Sequence, residues 1–163
     1  MVEIDIAIHS VDTSRDIARL KSFLFPLALH YPAYEAWVEA VCLPDIEQGY
    51  KHALLASSNG HIVGDAVFQA HKELPRTREI KNMRIHPGFR GRDLGHFLMR
   101  QIEVEAPEEY DALICDTDAS ERGILHFLRF CGFQEIYRAP LYSGNYVDVI
   151  LVKNKQPGQA HYQ

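Results

Sequence analysis

The sequence has little that would tie the protein to disulfides, a membrane or a nucleic acid. Its three cysteines, Cys42, Cys115 and Cys131, are widely spaced and show no paired spacing. No apolar run approaches the roughly 18 residues that a membrane-spanning helix needs. The formal charge of −5 at pH 7 gives no general attraction to nucleic acid or to anionic lipid. We therefore expect reduced core cysteines in a cytoplasmic protein that binds neither nucleic acid nor membranes.

The composition is typical of a folded domain without metal. Of the 163 residues, 47% are hydrophobic and 24% are charged, which is enough to bury a core without disulfides. The nine histidines form no close ligand pair such as HExxH, so we expect no metal site. Neither a repeat nor a linker interrupts the chain. We predict a single domain over residues 1–153 and a polar tail over 154–163.

The spacing of apolar residues predicts strands in alternation with helices. Period-2 and apolar segments predict strands over residues 2–9, 52–57, 61–70, 79–86, 111–116, 134–139 and 146–153. Helical spacing predicts helices over residues 12–29, 32–43, 94–106 and 120–131, with Pro44 ending the second. The residues "SNG" at 58–60 predict a hairpin, because Asn and Gly accept positive φ angles.

A glycine- and arginine-rich turn, "MRIHPGFRGRDLGHFLM" at residues 83–99, joins a predicted strand to a predicted helix. A helix N-terminus presents unpaired N–H groups and partial positive charge, so such a turn is suited to bind a phosphate. The alternative is structural: Gly88, Gly91 and Gly95 would merely allow a tight turn and close helix packing. The spacing matches neither a Walker P-loop nor the dinucleotide motif GxGxxG.

The segment "RGRDLG", from Arg90 to Gly95, resembles the pyrophosphate loop of the GNAT acetyltransferase superfamily. That loop has Gln or Arg, two residues, Gly, one residue, then Gly or Ala. The strand ending in His86 and Pro87, the strand "DALICD" and the helix ending in "FCGF" occur in the same order in that family, and "YPAYEAW" with a late "LY" is similar to small bacterial members whose substrates are unknown. The similarity of organisation covers nearly the whole chain.

The resemblance implies a fold and a set of cofactor-binding residues. The fold would be α/β (α+β), with a mixed, mostly antiparallel sheet of six to seven strands flanked by about four helices. Acetyl-CoA would be bound by backbone groups of the strand before the loop and by the loop itself. The residues so implied are Met83, Arg84, Ile85, Arg90, Gly91, Arg92, Asp93, Leu94, Gly95 and His96.

Asp93 departs from the family pattern, which has glycine at that position. Its carboxylate would place a negative charge beside a bound phosphate unless Arg90 or Arg92 neutralised it. Alternatively, Asp93 could cap the helix that begins at Leu94 and compete with the phosphate for the first amides. We favour an outward-pointing Asp93, paired with one of the two arginines, that leaves the backbone amides available.

Amine acetylation needs a group to take a proton from the amine and a group to protonate the leaving thiolate. Glu79 lies eleven positions before Arg90, the offset of the catalytic glutamate in histone-type members of the family. Alternation also places it on one strand face with Met83 and Ile85. The other interpretation is a solvated strand-end glutamate paired with Arg78 or Lys81; His86 and Asp116 are weaker substitutes for the base.

The general acid has no match to the family pattern. Many members carry a tyrosine where this sequence has Leu128, and an asparagine where it has Glu121. Tyr142 is the candidate for the acid, against the alternative of a half-buried aromatic side chain on a late strand. Water is another possible proton donor.

We expect an N-acetyltransferase that moves acetyl from acetyl-CoA to a primary amine of a small molecule or a peptide, and that forms a homodimer if it associates. The departures at Asp93 and Leu128 motivate an alternative, a non-catalytic regulatory module that binds acyl-CoA. A third possibility is an interaction domain that has lost the cofactor.

Overall fold

The computed structural model describes residues 5–27, 33–91, 93–142 and 144–155. The predicted strand residues 2–4, the predicted helix residues 28, 29 and 32, Arg92 and tail residues 156–163 lie outside these ranges. Seven strands are formed: β1 (Ile6–Ser10), β2 (His52–Ser58), β3 (His61–Ala70), β4 (Thr77–Ile85), β5 (Ala112–Asp118), β6 (Gln134–Ala139) and β7 (Asp148–Asn154). The α-helices are α1 (Ser14–Leu24), α2 (Tyr34–Trp37), α3 (Leu43–Glu47), α4 (Leu94–Val104) and α5 (Arg122–Phe130).

The strands form a seven-stranded sheet in the order β1-β2-β3-β4-β5-β7-β6. The registers of β1 with β2, β2 with β3, β5 with β7 and β6 with β7 are antiparallel, whereas β4 and β5 are parallel. The prediction of a mixed, mostly antiparallel sheet with flanking helices is confirmed. The segment from α2 through α3 is one continuous helical stretch, so the helical segments number four among the described residues.

The chain divides into two compact units that share β4. The first unit contains residues 1–69 and 81–102, and the second contains residues 70–80 and 103–163. The first unit thus holds β1, β2, β3 up to Gln69, the second half of β4, α1 to α3, and α4 up to Ile102. The second holds the first half of β4, β5 to β7, and α5. The single domain over residues 1–153 stays a prediction.

In the first unit, α1 packs its apolar face into a core with α2, α3 and strand side chains. Thr13 begins α1 by accepting a hydrogen bond from the Asp16 N–H (3.1 Å), as its position before the apolar spacing suggests. The core includes Leu20, Leu24 and Val38, none of which has measurable exposure. Burying such side chains stabilises the fold by about 1.5–3 kcal/mol each.

The hairpin between β2 and β3 forms as predicted. Asn59 and Gly60 have φ angles of 51° and 82°, so both central residues are left-handed, as a type I′ turn requires. These two residue types adopt that conformation at little cost.

The second predicted helix does not end at Pro44. A π-helical turn, Val38–Cys42, precedes α3, and Pro44 stands in the first turn of α3. A proline there has no N–H to leave unpaired within the new helix. The prediction was wrong because the π-helical turn changes the hydrogen-bond register before the proline.

The three cysteines are free thiols, as expected. Burial raises the pKa of Cys42 and of Cys115 to about 12, and that of Cys131 to about 11. These thiols are therefore protonated at neutral pH and are poor nucleophiles.

Candidate functional site

The strand-to-helix junction in the first unit is built around His86. The His86 N–H donates to the Val63 carbonyl at 2.8 Å, which holds the residue beside β3. Its Nδ1 accepts a hydrogen bond from the Gly88 N–H at 3.1 Å and so caps the 3-10 turn Pro87–Phe89. The ring also meets Phe89 edge-on, with centroids 6.2 Å apart. The turn before the loop is therefore fixed by a side-chain cap.

The loop then takes two left-handed residues before α4 begins. Gly91 has a φ of 75° and Asp93 has a φ of 59°. The position at which the motif has glycine is thus one where the backbone adopts the conformation that glycine favours. Aspartate is among the few other residues that enter this region without severe strain. Asp93 is exposed, which agrees with the expected outward orientation.

The N-terminus of α4 faces out from this loop. The Phe97 N–H donates to the Asp93 carbonyl at 3.2 Å, so Asp93 stands at the start of the helix. The N-terminal end of a helix presents backbone N–H donors. With 11 residues, α4 is long enough for its dipole to add partial positive charge at this end. The chemistry of these donors fits a pyrophosphate.

Strand β4 leads into the loop with alternating burial. Arg78, Ile80 and Asn82 are buried, whereas Glu79, Lys81, Met83, Arg84 and Ile85 are half-buried. The predicted alternation is confirmed up to Met83. Arg90 folds back on the strand, because its Nε donates to the Ile85 carbonyl at 3.3 Å. The structure therefore brings together two of the predicted cofactor-binding residues.

The predicted catalytic residues lie in the second unit. Glu79 pairs with Ile114 and is the last residue in the parallel register of β4 with β5. Tyr142 is 51% exposed and lies in the connection between β6 and β7. Tyr142 therefore does not lie on a late strand, and its role as the acid stays a prediction. Leu128 is buried in α5, so the family's tyrosine position is occupied here by a core side chain.

A buried polar chain in the first unit escaped the sequence prediction. The Tyr34 hydroxyl donates to Asn82 Oδ1 (3.3 Å), and Asn82 Nδ2 donates to Asp65 Oδ2 (2.8 Å). All three side chains are at least 90% buried. The Arg84 guanidinium lies 5.9 Å from the Tyr34 ring centroid. The available signal was Asp65, the one charged residue between Ile62 and Phe68 in β3.

Asp65 is the residue of this hydrogen-bonded group whose burial is least compensated. It is completely buried, and its Oδ1 has no hydrogen-bond partner among the described residues. Desolvation raises the pKa of Asp65 to about 7, although the hydrogen bond from Asn82 and the charge of Arg84 oppose that rise. Burial likewise raises the pKa of Tyr34 to about 12. Asp65 therefore changes charge near neutral pH.

Two features are absent within the described ranges, a metal site and a membrane-spanning helix. No group of three or more His, Cys, Asp or Glu side chains is placed to hold a metal ion. No helix in those ranges is both long and apolar enough to span a bilayer.

Known proteins resemble this chain in sequence, through a family model, and in fold. A family model described as "Acetyltransferase (GNAT) family" matches residues 16–133. A search of curated proteins finds no match. The crystal structure of the ribosomal-protein-S18-alanine N-acetyltransferase from Escherichia coli is 15% identical, with a TM-score of 0.74 over 98% of this chain and 100% of that one.

Two further solved structures have the same fold. A GNAT-family acetyltransferase from Streptococcus pneumoniae is 18% identical, with a TM-score of 0.73 over 93% of this chain and 100% of that one. The protein yncA from Salmonella typhimurium, solved with its cofactor acetyl-CoA, is 18% identical, with a TM-score of 0.71 over 93% of this chain and 94% of that one.

The left-handed backbone at Asp93 predicts the effect of Asp93→Gly. Glycine relieves the positive-φ cost but gains freedom in the unfolded chain, so we expect the unfolding free energy to stay within about 1 kcal/mol of wild type. Gly91→Ala is the control, since an added Cβ meets nothing within 4 Å there but must adopt a φ of 75°. It should lose about 1 kcal/mol. Urea unfolding measures both, and a larger loss in Asp93→Gly would show that its side chain holds the turn.

The raised pKa of Asp65 predicts a pH-dependent stability. The folded protein keeps a proton on Asp65 up to about pH 7, whereas the unfolded chain releases it near its ordinary pKa of 3.8, so stability falls as pH rises between these values. Asp65→Asn removes this loss. The variant should match wild type below about pH 4, already exceed it near pH 5, and exceed it by on the order of a few kcal/mol near pH 8.

Chemical denaturation between about pH 5 and pH 8 measures this difference, with the exposed Asp12→Asn as the control. A difference between wild type and Asp65→Asn that stays constant across this range would contradict a titrating Asp65.

Proposed function

Because the chain belongs to the acetyltransferase (GNAT) family, we propose that it transfers an acetyl group from acetyl-CoA to a primary amine by direct attack with a general base. The observation that carries this proposal is the loop before α4. Two left-handed residues, Gly91 and Asp93, lead into the N-terminus of an 11-residue helix. That arrangement offers backbone donors to a pyrophosphate.

The cofactor would be held by the loop and by the strand before it. The first amides of α4, at Leu94, Gly95 and His96, would donate to the pyrophosphate. Arg90 and Arg92 would add positive charge. Arg90 is already anchored by its hydrogen bond to Ile85, so less side-chain freedom would be lost on binding.

Backbone groups of β4 would hold the pantetheine arm and the thioester oxygen. The parallel register with β5 covers Thr77, Arg78 and Glu79, whereas β4 continues to Ile85. The groups at Met83 and Ile85 lie in this second part of β4. The Met83 carbonyl accepts from Arg84 Nη1 at 3.0 Å, which would help to orient that guanidinium beside the strand.

Acetyl-CoA supplies an activated thioester, and the side chains of the protein move the protons. Glu79 would take the proton from the attacking amine at its carboxylate, directly or through one water. The strand backbone would stabilise the charge that develops on the thioester oxygen. The family's tyrosine position is filled here by the buried Leu128. The exposed Tyr142 would therefore protonate the leaving sulfur from its hydroxyl.

The acceptor is a primary amine of a small molecule or of a peptide. The fold is shared with the E. coli enzyme named for an alanine of ribosomal protein S18, which makes peptide N-termini a class to test first. The net charge of −5 is compatible with a cationic amine. We also propose a cytoplasmic location and, if the protein associates, a homodimer.

Glu79→Gln tests the general base. It keeps the shape of the side chain but removes its ability to accept a proton, so kcat should fall by about 10²-fold or more while acetyl-CoA affinity is unchanged. The defect should shrink as pH rises, because more of the amine is already neutral. Steady-state release of CoA thiol and calorimetric titration measure the two quantities. Exposed Glu73→Gln, from the same unit, is the matched control.

Two results would contradict this assignment. A loss below about threefold at neutral pH would remove Glu79 from the mechanism, since it falls short of a general base. Loss of acetyl-CoA affinity together with turnover would show that Glu79 supports the strand instead. Tight acetyl-CoA binding with no turnover on any amine would favour a regulatory acyl-CoA-binding module.

A further inference from the structure

An open cleft of about 570 Å³ lies in the first unit, outside the candidate cofactor loop. Its walls come from α1, from Pro26 after it, from the start of β3 and from His86, which follows β4. Its polar lining includes Arg15, Arg19, His61 and His86, and its apolar lining includes Phe23 and Ile62. His86 also belongs to the strand-to-helix junction, whereas the proposed transfer reaction assigns no role to the other residues of the lining.

The charge of the lining is one-sided. Two arginines carry the charge of the lining, two histidines add ring nitrogens, and none of the described residues that line the cleft is acidic. This is notable because the whole protein carries a formal charge of −5. A concave surface lined by one sign of charge attracts and retains ligands of the opposite sign.

The two arginines are held differently. Arg19 is half-buried, and its Nη2 donates to the Gly60 carbonyl at 3.0 Å, so its guanidinium is fixed at the β2–β3 turn. Arg15 is exposed and makes no hydrogen bond or ion pair within the part of the chain that the structure describes. One guanidinium is thus preorganised and the other is available. Guanidinium groups match the geometry of carboxylates and phosphates.

His86 adds a donor of defined identity. Its Nδ1 accepts the Gly88 N–H, so in the neutral ring the proton is on Nε2. Nε2–H is then the ring donor that remains for a ligand. The same hydrogen bond makes the Gly88 amide a reporter, since a ligand that engages the ring changes the acceptor strength of Nδ1.

We propose that this cleft binds the phosphate or carboxylate group of a small ligand through Arg15, Arg19 and the two histidines. Phe23 and Ile62 contact an apolar part of the same ligand. The anion is either the 3′-phosphate of CoA or a group on a separate molecule. The proposal does not rest on the transfer reaction.

The test titrates the full chain with inorganic phosphate and, separately, with benzoate at constant ionic strength. The affinity comes from calorimetry, and the Gly88 amide is followed by ¹H–¹⁵N NMR. Arg15→Glu should weaken binding of the anion by about tenfold or more, because a charge-assisted contact is replaced by a repulsive charge. Arg122→Glu is the matched control: it is also an exposed arginine in the first turn of a helix. The Arg122→Glu variant should bind the anion with the same affinity as wild type.

Competition then identifies the source of the anion. If CoA blocks phosphate binding and dephospho-CoA does not, the cleft takes the 3′-phosphate of the cofactor. If neither blocks it, the ligand is a separate molecule; both results support the anion site. Failure of both probes to bind saturably would overturn the proposal. So would equal binding by Arg15→Glu and wild type, or an equal loss in the Arg122→Glu control.

Discussion

The candidate site depends on one backbone constraint, the left-handed conformation at Gly91 and Asp93. Two positive φ angles within three residues turn the chain sharply between β4 and α4. This turn leads directly into the N-terminus of α4. Residues with larger or β-branched side chains would oppose this conformation by about 1–2 kcal/mol each. Asp93 therefore has the backbone conformation that glycine favours, although its side chain differs from the glycine of the family motif.

The second half of β4 serves two purposes on its two faces. One face carries Met83 and Ile85, next to the loop, and Arg90 closes back on the Ile85 carbonyl. The other face carries Asn82, which links Tyr34 to the buried Asp65. A buried carboxyl group with one unpaired oxygen costs stability, so its presence beneath the candidate site is a local conflict that the surrounding core must offset.

Local signals predicted much of this structure, and long-range partners were the features that they missed. The Asn59–Gly60 turn was predictable because the residues in the turn decide its conformation. Pro44 was misjudged because a preceding π-helical turn overrides the usual rule for proline. Asp65 gave no signal of its partner Asn82, which is 17 positions away. The resemblance to the family indicated the loop. No sequence pattern indicated the hydrogen bond from Arg90 to the Ile85 carbonyl.

The central claim is that the loop before α4 binds acetyl-CoA, and calorimetric titration of Gly95→Glu tests it most directly. Bulk and negative charge at this position should lower acetyl-CoA affinity by about 100-fold or more, since the loop backbone could no longer approach the pyrophosphate. Gly144→Glu adds the same side chain where a new Cβ meets nothing within 4 Å, and should bind like wild type. A folded Gly95→Glu protein with unchanged affinity would contradict the account.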